Sequence, residues 1–203
     1  MIDDYLGELR VVAILRGITP EEAADIGTVL YNHGVRCVEV PLNSPQPLDS
    51  IARLRESLPS DCLVGAGTVL READVRSVAQ AGGQLVVTPN VYSEVITASI
   101  EHGLDVLPGF ATASEAFHAI RLGATRLKLF PASTYGVAHL QALAAVLPAQ
   151  VRVLAVGGIG AEQFKVWAES GAHGFGVGSE LYRAGDTVSQ VESKISAIRS
   201  ALQ

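Results

Sequence analysis

Eight short runs rich in Val, Leu and Ile punctuate the chain, at residues 11–15, 36–40, 62–66, 84–87, 104–107, 126–130, 151–155 and 174–177. Successive runs start 20 to 26 residues apart, which is the length of one strand, one helix and two short loops. A period of that size is an internal repeat of one supersecondary unit. A glycine precedes five of the later runs, at Gly34, Gly82, Gly103, Gly123 and Gly171, where a helix would end and turn into the next strand. Thr19-Pro20-Glu21-Glu22 and the Thr112/Glu115 pair carry helix-start signatures, with a capping hydroxyl followed three residues later by a glutamate. Eight strand-helix units with near-continuous apolar strands make a parallel sheet covered by helices, and eight is the number that closes. The expected fold is therefore α/β, a single (β/α)8 TIM barrel spanning residues 1–203 as one catalytic domain.

An open doubly wound sheet is the competing arrangement, and it would carry a glycine-rich dinucleotide turn after its first strand. Arg16-Gly17-Ile18-Thr19 stands there instead. Gly65-Ala66-Gly67 and Gly176-Val177-Gly178 also fail that fingerprint, because Leu70 and Leu181 occupy the place of its third small residue. No linker, low-complexity tract or block of like charge divides the chain.

Composition narrows the function classes. Charged residues are 18% of the chain and the net charge is −6, so no long-range basic field exists to gather nucleic acid or an anionic membrane. The longest apolar runs fall far short of a membrane span, and Met1-Ile2-Asp3-Asp4 lacks a basic signal-peptide start, which together predict a cytoplasmic protein. Cys37 and Cys62 sit in apolar runs without metal or disulfide spacing and read as reduced core thiols. The five histidines share no ligand spacing, so no metal is expected.

In a barrel of this kind the chemistry is built at the C-terminal strand ends and the loops after them. That filter leaves Arg16, Glu39, Thr68, Thr88 with Asn90, Pro108 with Gly109, Lys128, Gly157 with Gly158, and Gly178 with Ser179. Lysine is scarce, three against twelve arginines, and only Lys128 falls in a strand. Alternation puts Leu127 and Leu129 toward the helices and turns Lys128 into the barrel. Burial lowers a lysine's pKa, and a cation such as Arg16 lowers it further, leaving a free amine able to attack a carbonyl. The same residue is open to a second role, as a structural lysine that snorkels to the rim or pairs with a carboxylate.

Glu39 turns inward by the same alternation between Val38 and Val40. It suits either a proton shuttle beside Lys128 or one half of a purely structural ion pair. The glycines at 157, 158, 160, 174, 176 and 178 allow bare N–H groups at helix N-termini to approach a phosphate, or simply satisfy tight turns. On these residues alone, an aldolase, a phosphosugar isomerase and a non-catalytic phospholigand-binding barrel all remain open.

Several motifs jointly narrow the choice: Ala13-Ile14-Leu15-Arg16-Gly17, Val38-Glu39-Val40-Pro41-Leu42-Asn43-Ser44-Pro45, Gly65-Ala66-Gly67-Thr68-Val69, Val87-Thr88-Pro89-Asn90, Leu127-Lys128-Leu129-Phe130-Pro131 and Ala155-Val156-Gly157-Gly158. Over its whole length the chain resembles the class I, pyruvate-dependent aldolases of 2-keto-3-deoxy-6-phospho sugar acids. The resemblance implies reversible cleavage to pyruvate and D-glyceraldehyde 3-phosphate without metal or organic cofactor. It implies Lys128 as the Schiff-base lysine, Glu39 as proton donor and acceptor, and Arg16 and Thr68 on the substrate's carboxylate and hydroxyls. Phosphate is implied at Gly157, Gly158, Gly178 and Ser179. Gluconate-directed members typically carry Arg-Thr after the catalytic glutamate and Thr before the Gly-Gly pair. Asn43-Ser44-Pro45 and Val156 stand here instead, which favours the galactonate-directed branch and gives Val156 a role in orienting the pyruvate enamine. Phe110, in Pro108-Gly109-Phe110-Ala111-Thr112, departs from the resemblance, being bulkier than the small residue expected there, a difference that bears on the fine shape of the pocket. Low charge and apolar helix faces suggest an oligomer, and the resemblance implies a homotrimer.

Overall fold

The computed structural model describes residues 2–202, so the terminal residues of the expected 1–203 domain, Met1 and Gln203, lie outside the described residues. The expected alternation of strand and helix is present. The strands are β1 (Val11–Ile14), β2 (Cys37–Pro41), β3 (Leu63–Gly67), β4 (Leu85–Val87), β5 (Asp105–Leu107), β6 (Gly109–Phe110), β7 (Arg126–Leu129), β8 (Arg152–Val156) and β9 (Gly174–Val177). The helices are α1 (Ile2–Tyr5), α2 (Pro20–Asn32), α3 (Pro47–Ser57), α4 (Glu72–Gln80), α5 (Ser93–Glu101), α6 (Ala113–Arg121), α7 (Ala132–Ala144), α8 (Phe164–Glu169) and α9 (Val188–Leu202). Every strand pairing is parallel, in the order β5-β4-β3-β2-β1-β9-β8-β7-β6.

Nine segments replace the expected eight because the fifth strand is split at Pro108. Its first half, β5, pairs back onto β4, while β6 pairs forward onto β7. Proline lacks the N–H that an unbroken ladder would use. Its carbonyl still accepts from Lys128 N–H at 2.9 Å, and Phe110 O accepts from Phe130 N–H at 3.1 Å. The two ends of the ladder are therefore halves of one strand, and the sheet closes as a TIM barrel.

Helix boundaries follow the local chemistry. The carboxylate of Glu115 accepts from the N–H groups of Ala111 at 3.0 Å and Thr112 at 2.8 Å, which fixes the start of α6. Glu22 accepts from Thr19 N–H at 3.1 Å at the start of α2. The five glycines read as helix ends all have left-handed φ, from +70° at Gly103 to +104° at Gly171, a region open to glycine at no steric cost.

Two apolar layers result. The larger lies between strands and helices and takes the outward residues of each strand, such as Val11, Ala13, Val38, Val40, Leu127 and Leu129. The smaller fills the barrel with Val12, Cys37, Leu63, Leu85, Leu107 and Leu154, and Ile2 and Leu6 from the N-terminal segment plug its lower end. Cys37 and Cys62 are free and buried, one inside the barrel and one in the outer layer.

Phe110 stands away from the barrel interior: its ring is buried in the outer layer, against the helices. Phe110→Ala is expected to cost about 3–5 kcal/mol of stability, as for other large buried aromatics. Urea unfolding would measure that loss, and substrate preference should not move.

Candidate active site

Lys128 and Glu39 meet the requirement of inward alternation on opposite sides of the barrel. Lys128 is 7% exposed and Glu39 3% exposed, in an interior otherwise lined mainly by apolar side chains. Lys128 Nζ lies 4.7 Å from the centroid of the Phe130 ring, which shares its inward face two residues on. Glu39 Oε2 is buried and has no hydrogen-bond partner. Burial pushes the Glu39 carboxyl up to about 7, against the pull of the Lys128 and Arg16 charges. Burial pulls the Lys128 ammonium down to about 8, with Glu39 opposing and Arg16 adding to the fall. Desolvation disfavours both charged forms, so the two groups share protons near neutral pH as a pair. An amine that loses its proton in this range is a nucleophile, and an unpartnered carboxyl beside it is free to move protons.

Room for these side chains is made by glycines on neighbouring strands. A Cβ on Gly67 would lie 1.9 Å from Glu39 Oε2, and one on Gly176 would lie 2.7 Å from a methyl of Val156. Gly65 answers to backbone instead, since its Cβ would lie 2.1 Å from Leu85 O. The Gly65-Ala66-Gly67 stretch is thus a clearance device for the adjoining strands. Thr68, the next residue, is half-buried and has φ +56°, a backbone strain for a β-branched residue of the kind found at binding sites.

At the C-terminal ends of β1, β8 and β9 opens a cavity of about 460 Å³, whose lining does not include Lys128, Glu39 or Thr68. Arg16, Val156, Gly157, Gly158, Gly178 and Ser179 line it together, with Ile14 and Phe130 closing its inner wall. The glycine loops are expected at helix N-termini. After β8 the chain enters a three-residue 3₁₀ turn, Ala161–Gln163, that continues directly into α8 at Phe164. After β9 it makes a single helical turn, with Gly178 O accepting from the N–H groups of Leu181 at 2.8 Å and Tyr182 at 2.9 Å, and α9 begins only at Val188. Donors in these loops therefore come from short turns. Glu162 and Glu180 also line the cavity, so an anion there would have to be met at short range by N–H groups and by Arg16. Neither glutamate is marked by any motif, and only the folded loops reveal them.

Two residues quoted only as part of a motif have a physical task. Asn43 Oδ1 accepts from Arg16 Nη1 at 2.6 Å, and the hydroxyl of Ser44 accepts from Gly17 N–H at 2.9 Å. Thr88 and Asn90 bond to one another, hydroxyl to carbonyl, at the end of β4 and outside the cavity lining. Four histidines make local contacts: His33 with Val29 O, His102 with Ala98 O, His118 with Ser93, and His139 with Ala111 O. Among the described residues no three His, Cys, Asp or Glu side chains are grouped to hold a metal ion, and no helix is long and apolar enough to cross a membrane.

Because the chain has only three lysines, isotope-edited NMR can follow Lys128 alone. Glu39→Gln should lower its pKa below about 8, since burial and Arg16 remain and both disfavour the ammonium. A rise on titration would contradict the arrangement.

The family model for KDPG and KHG aldolase matches residues 2–198. The chain is 46% identical over 201 residues to 2-dehydro-3-deoxy-6-phosphogalactonate aldolase of Escherichia coli K12, covering 97% of this chain and 98% of that protein. A Rhizobium meliloti protein named "Probable 2-dehydro-3-deoxy-6-phosphogalactonate aldolase" is 41% identical, over 96% of this chain and 92% of its own length. A solved structure described as native KDPGal superposes with a TM-score of 0.92 at 45% identity, covering 94% of this chain and 93% of that one. With a buried lysine and glutamate inside a barrel that also carries a glycine-lined cavity, and with this similarity along nearly all of its length, the chain belongs to the KDPG and KHG aldolase family.

Proposed function

We propose that this chain is a Schiff-base aldolase that reversibly cleaves 2-dehydro-3-deoxy-6-phosphogalactonate to pyruvate and D-glyceraldehyde 3-phosphate, with Lys128 as nucleophile and Glu39 as proton shuttle. The observation that carries the reading is the buried amine of Lys128, pulled toward neutrality beside a carboxylate oxygen with no partner. The neutral amine adds to the C2 carbonyl, and loss of water leaves an iminium. Glu39 takes the proton of the C4 hydroxyl, the C3–C4 bond breaks, and its electron pair moves into the iminium to give an enamine as the aldehyde leaves. Glu39 then returns the proton to C3, and water releases pyruvate and the free lysine.

Arg16 and Thr68 hold the carboxylate and hydroxyls in this reading, and the N–H groups and hydroxyl of Gly157, Gly158, Gly178 and Ser179 hold the phosphate. Val156, buried and fitted against Gly176, presents methyl groups to the bound enamine. That apolar wall, Asn43-Ser44 after the glutamate's strand, and the names of the relatives at 46% and 41% identity support the galactonate epimer over the gluconate one. We also infer a single catalytic domain working in the cytoplasm as a homotrimer. Support for self-association comes from exposed apolar side chains such as Leu70, Tyr92 and Val146.

Borohydride reduction in the presence of pyruvate should leave one covalent adduct, on Lys128, by mass spectrometry. Lys128→Met should abolish both adduct and cleavage with the fold retained; an active protein without the adduct would refute the mechanism. Rates on the two C4 epimers should differ by about tenfold or more in favour of the galactonate form, the range open to modest changes in an apolar pocket. Equal rates, or a preference for the gluconate form, would reverse the substrate assignment. Gly67→Ala tests the shuttle, because the added methyl must displace the Glu39 carboxylate. Cleavage should fall by about 10² or more, the usual worth of positioned acid-base catalysis, with circular dichroism unchanged.

A further inference from the structure

We infer that Asn43 is the positioning residue for Arg16, holding its guanidinium over the barrel mouth where the substrate carboxylate is bound. The inference rests on the reading of Arg16 as a substrate ligand given above.

Arg16 is exposed at the end of β1, and a long cationic side chain in that setting samples many rotamers and loses conformational entropy when fixed. Here Nη1 donates to Asn43 Oδ1 at 2.6 Å, a short charge-assisted bond. Asn43 is itself held on a braced loop. Leu42 N–H donates to Gly67 O at 2.8 Å, and Ser44 N–H donates to Pro41 O at 2.9 Å. The buried hydroxyl of Ser44 then accepts from Gly17 N–H at 2.9 Å, tying the residue after Arg16 to the residue after Asn43. Two bonds thus join the loops after β1 and β2, one between side chains and one from a backbone N–H to a side-chain hydroxyl.

The choice of an amide is chemically apt. A carboxylate at this position would hold the guanidinium as firmly but cancel the charge that an anionic ligand needs. A neutral acceptor orients the cation and leaves its charge and its remaining N–H donors available. The loop's other anchor is Gly67, the same glycine that makes room for Glu39, so one short segment sets the placement of both the carboxyl and the guanidinium.

The test is a double-mutant cycle on KM for pyruvate in the condensation direction, with D-glyceraldehyde 3-phosphate fixed. Asn43→Ala should raise KM about fivefold with kcat within about twofold, the worth of one hydrogen bond that preorganises a ligand-binding group. Arg16→Ala should raise KM further, and adding Asn43→Ala to it should change nothing more, because the residue positioned is already gone. Multiplicative effects in the double variant, or an unchanged KM in Asn43→Ala alongside a raised KM in Arg16→Ala, would overturn the proposal. An unchanged KM in Arg16→Ala would instead overturn the reading of Arg16 as a ligand, leaving the lysine adduct as a separate question. A purely structural role for Asn43 predicts a lowered Tm and a fall in kcat that persists in the Arg16→Ala background, which the same cycle would expose.

Discussion

The central constraint on this barrel is that one amine and one carboxyl are taken out of water inside an aliphatic core. Burying ions costs several kcal/mol each unless they are paired and fully hydrogen-bonded. Here Glu39 Oε2 is left without a hydrogen bond. The interior relieves the cost by drawing the carboxyl's pKa up and the ammonium's down, so that each group approaches neutrality. Replacement of the pair by aliphatic side chains would make a more conventional core and remove the reactive amine. Stability is exchanged for reactivity, as at many active sites.

The rest of the site can be understood as accommodation of that pair. Glycine appears on the strand beside Glu39 because any larger residue would occupy the carboxylate's place, and on the strand beside Val156 for the same reason. Both glycines give up strand propensity to make space for a neighbour. Thr68 accepts a left-handed backbone directly after one of them. Closure of the sheet also passes through the site, because the break at Pro108 hands the ladder to β6, whose Gly109 pairs with Lys128.

Much of this was legible locally. Leu127 and Leu129 flank Lys128, and Val38 and Val40 flank Glu39, so a period of two was enough to send both inward. The helix-ending glycines and the Thr112/Glu115 cap were readable for a similar reason, since each acts within four or five residues. Phe110 obeys the same counting rule, which, taken from inward-facing Leu107, points its ring toward the helices. The short α1, the 3₁₀ turn after β8 and the delayed start of α9 left no clear trace, because a single turn has too few residues for a period to show. The task of Gly67 was hidden for another reason. It depends on register, with Gly65 opposite Glu39, and not on the glycine's own neighbours.

The eightfold repeat, the parallel barrel and the inward direction of the lysine and glutamate are written in the chain, because hydrophobic periodicity and turn chemistry are local properties. How far those two side chains lose their water, which glycines clear a path for them, and that Asn43, 27 residues away, meets Arg16 are properties of the folded barrel. Desolvation, clearance and orientation depend on which strands become neighbours and in what register, and that is settled only when the sheet closes.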